Sequence, residues 1–182
     1  MKFTELGVAG AFYIELEPNV DDRGSFSRAW CAQELREHGA VGEIAQMNLS
    51  TNHRRGTIRG LHVQNPPHGE AKFFRCLAAA SYHVIADVRP DSPTYGAWAG
   101  VELSAERFDA LYVPPYCAKG YQALADDTAV LYAVSSPYTP GAETGLRYDD
   151  PAFGITWPIT DGVIVSDKDR AWPDVQLERS KS

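Results

Sequence analysis

The sequence is poor in cysteine, in positive charge and in long apolar runs, and each shortage excludes a class of protein. Its three cysteines are widely spaced and form no Cys-x-x-Cys pair, which argues against a dense disulfide framework and a thiolate zinc site. Seventeen lysines and arginines against 24 acidic residues give a net charge of −7, which disfavours nucleic-acid binding. No apolar run approaches the roughly 20 residues of a membrane span, and the first residues lack the apolar core of a signal peptide. We therefore expect a cytoplasmic protein with no nucleic-acid or membrane partner.

Turn formers and short apolar segments are abundant. The 15 glycines and 12 prolines separate short runs rich in Val, Ile, Tyr and Phe, which is typical of half-buried strands. We predict strands at residues 12–16, 44–49, 72–77, 82–88, 99–103, 110–113, 129–134 and 162–165. A single short helix is predicted within residues 28–39, closed by Gly39. Residues 149–182 form a C-terminal extension. The pattern indicates one all-β domain over residues 1–182, a sandwich or a barrel.

The segment around His62 contains the side chains of a metal site, but in an incomplete pattern. His62, His68 and Glu70 lie close together. Metal-binding cupins have a second histidine where this chain has Gln64, and a further histidine on a later strand where it has Lys119. Because a protonated amine cannot ligate a metal, we predict no metal, and His68 keeps the metal alternative open.

The same segment suits acid–base chemistry on an anion. His62, expected near a strand start, has Arg59 three residues before it and Lys72 ten residues after it. Cations around a histidine favour an anionic ligand and a developing oxyanion. Taken alone, a single histidine is more often structural, and Tyr132 is more often a core residue. Neither a Gly-x-Ser-x-Gly nucleophile motif nor a glycine-rich phosphate loop occurs in the sequence. The residues by themselves thus indicate a β-rich domain with a candidate small-anion site.

Seven short motifs occur in an order and at a spacing that resemble one family. They are DDRGSF (21–26), QMNLS (46–50), GTIRGLHVQ (56–64), DVR (87–89), SPTYG (92–96), DDP (149–151) and SDKD (166–169). Together they resemble the dTDP-4-dehydrorhamnose 3,5-epimerase family from about residue 12 to residue 173. The resemblance implies a cupin jelly-roll β-sandwich and a homodimer, with neither a metal nor a cofactor. It also implies epimerisation, at C3, C5 or both, of a nucleotide-diphosphate-linked 4-keto-6-deoxy sugar through an enolate.

The resemblance also implies four catalytic residues. His62 matches the family's base, and Asp169 matches the carboxylate that orients this base. Lys72 matches the cation that stabilises the enolate oxygen, and Tyr132 matches the acid on the opposite face of the sugar. Other residues match contacts with the nucleotide, the diphosphate or the sugar: Arg23, Phe26, Gln46, Asn48, Arg59 and Tyr138. Of these, Arg23 and Phe26 would complete the site of the partner subunit.

Three positions depart from the family pattern. Arg28 replaces a glutamate that accepts the imide proton of thymine, and an arginine only donates, so the preference for thymine is in question. His83 replaces an aspartate, and Lys119 replaces a histidine. We expect both to point into the sugar cavity near Lys72. Because neighbouring ammonium groups disfavour each other's charge, we expect Lys72, Lys119 or His83 to be uncharged unless an anion is bound. Two alternatives are that Lys119 extends to solvent and that the changes reflect a poorly active relative.

Two other functions remain open on the sequence. The first is a 3,4-ketoisomerase or tautomerase, which would use the same enolate. The second is a non-catalytic protein that binds a sugar nucleotide. The pairing of His62 with Asp169, together with Tyr132, favours an enzyme, and we predict an isomerase.

Overall fold

Short β-strands account for most of the regular structure in the computed structural model, which describes residues 1–177. The strands are β1 (Lys2–Glu5), β2 (Phe12–Glu15), β3 (Asn19–Asp21), β4 (Gly24–Phe26), β5 (Gln46–Asn52), β6 (Ile58–Gln64), β7 (Lys72–Ala78), β8 (Ala80–Asp87), β9 (Trp98–Ser104), β10 (Ala110–Val113), β11 (Cys117–Ala123), β12 (Thr128–Val134) and β13 (Glu143–Gly145). The helices are α1 (Ala32–Glu37) and α2 (Asp167–Arg170). Within residues 1–177, no helix has the length and apolar character needed to cross a membrane.

Two antiparallel sheets form the body of the fold. One has the strand order β1-β2-β10-β7-β12-β5, the other has the order β13-β6-β11-β8-β9, and β3 and β4 form a separate hairpin. Buried side chains from both sheets share one apolar cluster, among them Phe74 on β7, Ile85 on β8, Leu111 on β10 and Val130 on β12. Burial of such side chains is the main source of stability in a sandwich. The predicted all-β sandwich is confirmed.

The strand predictions succeeded where apolar residues dominate and failed where glycine and charged residues interrupt them. Residues 110–113 match β10, and residues 72–77, 82–88 and 129–134 match β7, β8 and β12 to within two residues. The strand predicted at 162–165 is wrong: Ile164 forms only an isolated bridge with Thr57. The whole of β11 was missed, because Lys119 and Gly120 break the apolar pattern of a strand that is buried throughout.

The predicted helix at residues 28–39 is shorter than expected, and His62 lies deeper in a strand than expected. The backbone of Cys31 is extended, with φ −150° and ψ 111°, so α1 begins only at Ala32. Gly39 has φ +72°, a conformation that favours glycine, and it ends the segment as predicted. His62 lies within β6 rather than at its start.

Candidate active site

A cavity of about 810 Å³ opens between the two sheets. Strands β5, β7 and β12 supply one wall. Strands β6 and β11 supply the other, together with residues 164–166, 168 and 169. A volume of this size is typical of a site for a small organic ligand. The lining residues contributed by the two walls therefore face each other across the space that a ligand would occupy.

One wall carries a histidine–carboxylate pair. His62 Nε2 lies 2.6 Å from Asp169 Oδ1, and the Gly60 amide donates to the other carboxylate oxygen at 3.2 Å. The start of α2 holds Asp169 in place, since Ser166 Oγ accepts a hydrogen bond from the Asp169 amide at 3.1 Å. Burial raises the pKa of Asp169, but the hydrogen bonds from His62 and Gly60 outweigh it and hold that pKa below its usual value. An ionised Asp169 keeps the proton on His62 Nε2 and leaves Nδ1 as the basic nitrogen.

A glycine at position 60 allows this wall to form. Gly60 has φ +104°, and a Cβ there would lie 2.6 Å from the Lys119 carbonyl oxygen and 2.7 Å from the Gly120 Cα. Any side chain would therefore push β6 away from β11. Because β6 and β11 pair with His62 opposite Lys119, the close approach also sets these two side chains beside each other.

The opposite wall is a ladder of residues in register. Tyr132 on β12 pairs with Asn48 on β5 and with Phe74 on β7, and all three line the cavity. The rings of Tyr132 and Phe74 stack with centroids 5.1 Å apart. Burial, reinforced by the charge of Glu70, raises the pKa of the Tyr132 phenol, so this phenol holds its proton at neutral pH and is able to act as an acid.

Lys72 lies two residues before Phe74 and faces the same cavity. Its Nζ is 3.2 Å from a carboxylate oxygen of Glu70 and 3.5 Å from the carbonyl oxygen of His62. The ammonium thus lies between the two walls, next to the backbone of His62. This position suits the stabilisation of a negative charge that develops on a ligand held between His62 and Tyr132.

Arg59, Gln46 and Tyr138, which the family resemblance implies as contacts with the nucleotide or the diphosphate, also line the cavity. Arg59 is fixed by hydrogen bonds from Nε to Asn52 Oδ1 at 2.8 Å and from a terminal nitrogen to the Thr51 carbonyl at 3.1 Å. Gln46 Oε1 accepts from the Tyr138 amide at 2.6 Å. With Asn48, these residues place amide, guanidinium and phenol groups around the cavity.

Lys119 and His83 are both buried, but only Lys119 lines the cavity. Lys119 is 4% exposed, so the alternative that it extends to solvent is wrong. His83 is fully buried, bonds to Ser81 Oγ through Nε2 at 2.8 Å and stacks on Tyr121. The expectation that His83 points into the cavity is therefore corrected. His83 and Tyr121 pair in register, and their rings pack against each other in the interior.

Both pKa values shift in the direction that disfavours charge. Burial, and then the neighbouring charge of Lys72, hold the pKa of Lys119 well below its usual value. Burial, and then the charge of Lys119, hold the pKa of His83 well below its usual value. The geometry and these directions agree with the expectation that an uncharged group is present at this place.

Three predicted binding residues lie away from the cavity of this chain. Arg23 pairs with Asp21 at 2.6 Å on the β3–β4 hairpin, and Phe26 is 76% exposed on the same hairpin. Arg28 pairs with Glu34 at 2.8 Å beside α1. None of the three lines the cavity. Their contacts with a nucleotide remain predictions, which for Arg23 and Phe26 depend on a partner subunit.

Sequence reasoning missed several residues that line the cavity. Glu70 was considered only as a metal ligand, whereas it pairs with Lys72. Lys168 lies within the SDKD motif and pairs with Glu143, a contact that no local pattern reveals because the two residues are 25 positions apart. Within residues 1–177, no group of three or more His, Cys, Asp or Glu side chains is arranged to hold a metal ion.

Comparison with known proteins points to one family. The family model described as dTDP-4-dehydrorhamnose 3,5-epimerase matches residues 5–176. A dTDP-4-dehydrorhamnose 3,5-epimerase of Sinorhizobium fredii is 38% identical over 175 residues, which cover 96% of this chain and 90% of that protein. A dTDP-4-dehydro-6-deoxyglucose 3-epimerase of a Streptomyces species is 35% identical over 169 residues, covering 92% and 86%. The crystal structure of a dTDP-4-dehydrorhamnose 3,5-epimerase from Elizabethkingia anophelis superposes with a TM-score of 0.94 at 30% identity, covering 99% of both chains.

Proposed function

Because this chain belongs to the dTDP-4-dehydrorhamnose 3,5-epimerase family, we propose how its own residues move protons. The protein is an isomerase that epimerises a nucleotide-linked 4-keto-6-deoxy sugar at C3, C5 or both. The ketone at C4 acidifies the protons on C3 and C5. A base removes one of these protons to give an enolate, and an acid returns a proton to the opposite face of the same carbon.

His62 is the base in this proposal. Its Nδ1 accepts the proton from the sugar carbon, and the carboxylate of Asp169, 2.6 Å from Nε2, stabilises the imidazolium that forms. The pKa of Asp169 lies below its usual value because, despite the opposing effect of burial, hydrogen bonds to the carboxylate favour the ionised form. A carboxylate that stays charged at neutral pH supports this role.

Lys72 and Tyr132 complete the reaction. The Lys72 ammonium donates to the C4 oxygen as negative charge develops there. Tyr132 then gives its phenolic proton to the carbon from the other side, and it holds that proton until needed because burial raises its pKa. Base and acid belong to different sheets, β6 in one and β12 in the other. A sugar ring between the sheets therefore meets one group on each face, as inversion of a carbon requires.

Four further cavity residues bind the nucleotide portion. Arg59, whose Nε and one terminal nitrogen are held by Asn52 and Thr51, presents guanidinium N–H groups to the diphosphate. Gln46, Asn48 and Tyr138 contact the nucleoside and its sugar.

The relatives are named for dTDP sugars. A thermal-shift panel of dTDP, UDP, GDP and CDP tests the base, since a ligand at a hundredfold excess over its Kd stabilises by about 2.7 kcal/mol. We expect dTDP not to stand out, because Arg28 cannot accept the imide proton of thymine.

The observation that carries the proposal is the His62–Asp169 pair on one wall, with Lys72 and Tyr132 on the other. Incubation of a dTDP-4-keto-6-deoxy sugar in heavy water, followed by NMR, tests it. Epimerisation places deuterium at C3 or C5 and inverts that centre. Migration of the ketone would instead indicate the ketoisomerase, and an unlabelled sugar would indicate the binding protein.

We also propose that the protein is a homodimer in the cytoplasm. Val20 and Phe26 on the β3–β4 hairpin are largely exposed, as are Met47 and Leu49 on the edge strand β5. A partner chain that covers these apolar residues would also protect the strand edge. Three unpaired cysteines support a reducing compartment. Light scattering at micromolar concentration tests the dimer: a monomer at that concentration would contradict it.

A further inference from the structure

Lys119 is an unusual side chain in the cavity, because its amine is buried without an acceptor. Its Nζ has no hydrogen-bond partner among residues 1–177. Two aromatic rings lie close to it: Nζ is 3.3 Å from the ring centroid of Phe74 and 4.5 Å from that of Tyr121. Buried polar groups without partners are rare in native proteins, because each costs the free energy of its lost hydration. Such a group in a cavity indicates that something else supplies the acceptor.

The other charged side chains of the cavity are all partnered within the described chain. Lys72 faces Glu70, Lys168 faces Glu143, and His62 faces Asp169, while Arg59 donates to Asn52. Lys119 instead has Lys72 as the neighbouring charge, and His83 behind it is itself uncompensated. Glu70 and Asp169 line the same cavity, but they pair with Lys72 and His62, and within residues 1–177 neither they nor any other group accepts a hydrogen bond from Lys119. Within residues 1–177 Lys119 thus has no acceptor, and a ligand in the cavity is able to supply one.

The strand register gives the position of that acceptor. Lys119 pairs with His62 across β11 and β6, so the two side chains are neighbours on the wall that carries the base. A sugar that presents C3 or C5 to His62 therefore brings its ring oxygens and hydroxyl groups close to Lys119. The faces of Phe74 and Tyr121 would stabilise a charged amine there by cation–π attraction, which makes a charged form accessible once an acceptor arrives.

We propose that Lys119 is a specificity-determining residue that takes up a proton when the sugar nucleotide binds and then donates hydrogen bonds to oxygens of the sugar. This inference rests on the proposed function, since it needs a sugar nucleotide in this cavity. The proton comes from the solvent. The diphosphate supplies negative potential, and the sugar oxygens supply the hydrogen-bond acceptors that Lys119 lacks within residues 1–177. The lowered pKa of Lys119 in the free protein, caused by burial and by Lys72, is consistent with it.

Calorimetric titration with dTDP-glucose tests the inference without any turnover, because that sugar has no ketone. Titrations at pH 8.5 in buffers with different ionisation enthalpies give the number of protons taken up. At that pH a histidine or a phosphate has passed its ordinary titration range. We expect about one proton per site for the wild-type protein and a loss of that proton in Lys119→Met. The affinity for dTDP-glucose should fall about tenfold in the variant, and the affinity for dTDP should change less than twofold, which also shows that the variant is folded.

Lys168→Met is the matched control. It removes another lysine of the same cavity, but one whose pKa is raised by its hydrogen bond to Glu143, so it should keep the proton uptake even if affinity falls. If Lys119→Met takes up as many protons as the wild type, or keeps the same ratio of affinities for dTDP-glucose and dTDP, the proposal is wrong. Deuterium exchange on the keto sugar is measured separately. A wild-type protein that takes up the proton through Lys119 but exchanges no deuterium would refute the epimerase mechanism and leave the binding role standing.

Discussion

His62 and His83 lie on the two strands that flank β11, and their surroundings differ. His62 is 30% exposed in its side chain and has Asp169 at 2.6 Å. His83 is fully buried, has a serine hydroxyl as its partner and senses the charge of Lys119. In the proposed mechanism, the same residue type is a base where a carboxylate accompanies it and an uncharged packing residue where a lysine does. Around His62 the ionisable group thus has a carboxylate partner, whereas around Lys119 the amine has none within residues 1–177. We call these two regions the compensated half and the uncompensated half of the cavity.

Removing the compensated histidine should have the largest effect. His62→Ala should lower deuterium exchange at both C3 and C5 by about 10³-fold, because a positioned general base contributes 10² to 10⁴. Exchange is measured by NMR in heavy water. The matched control is His53→Ala, which removes an exposed histidine paired with Asp127 and should exchange like the parent. Near-normal exchange in His62→Ala would show that the base is misassigned.

Tyr132→Phe should separate the removal of a proton from the inversion of the carbon. We expect inversion to fall about 10²-fold, while some exchange persists because His62 still removes protons and, once its imidazolium has exchanged with heavy water, returns deuterons to the face that the protons left. The ratio of exchanged to inverted sugar, measured by NMR and chromatography, should therefore rise. If exchange and inversion fall by the same factor, Tyr132 does not act as the acid on the opposite face.

A double substitution should convert the uncompensated half into a compensated one. Lys119→His with His83→Asp introduces a carboxylate behind an imidazole, as in the family pattern. Activity toward dTDP-4-keto-6-deoxyglucose should rise about tenfold, and each single change should do less, because contacting groups couple by 0.5 to 3 kcal/mol. The comparison of kcat/KM for the parent, both single variants and the double variant measures this coupling. A double variant that equals the parent on every substrate would end the idea that these two positions tune the sugar site.

The smallest effect concerns stability. Lys119→Met should raise the melting temperature, because it removes a buried amine without a partner, a cost of about 1–3 kcal/mol. The folded-state pKa of Lys119 lies well below the usual 10.5, so the folded protein binds fewer protons than the unfolded chain below pH 10.5. The stability of the parent therefore falls as the pH is lowered from 10.5 towards the folded-state pKa. Calorimetry from pH 10 to pH 7 should show the gap between variant and parent widening, and a constant gap would contradict this account.

The strands that carry Lys72 and Tyr132 were more predictable from the sequence than those of the wall that carries His62, since neither β6 nor β11 was predicted. Alternating apolar runs gave β7, β8, β10 and β12 to within two residues, because strand periodicity is a local property. The strand β11 was not recognisable, because burial on both faces allowed a lysine and a glycine that no local rule expects. The helix was predicted too long, because the backbone of Cys31 is extended and α1 begins only at Ala32.

By itself the sequence determined the residue types of the site and their order along the chain. The residues around His62 indicated a candidate small-anion site, and the resemblance of the seven motifs to one family implied acid–base chemistry on a sugar nucleotide. Only the tertiary structure decided which charges meet. It joined His62 to Asp169 over 107 positions and Lys168 to Glu143 over 25, turned His83 into the interior, and left Lys119 without an acceptor. Sheet register and the approach of β6 to β11 set these distances, and both arise from contacts between segments that lie far apart in the sequence.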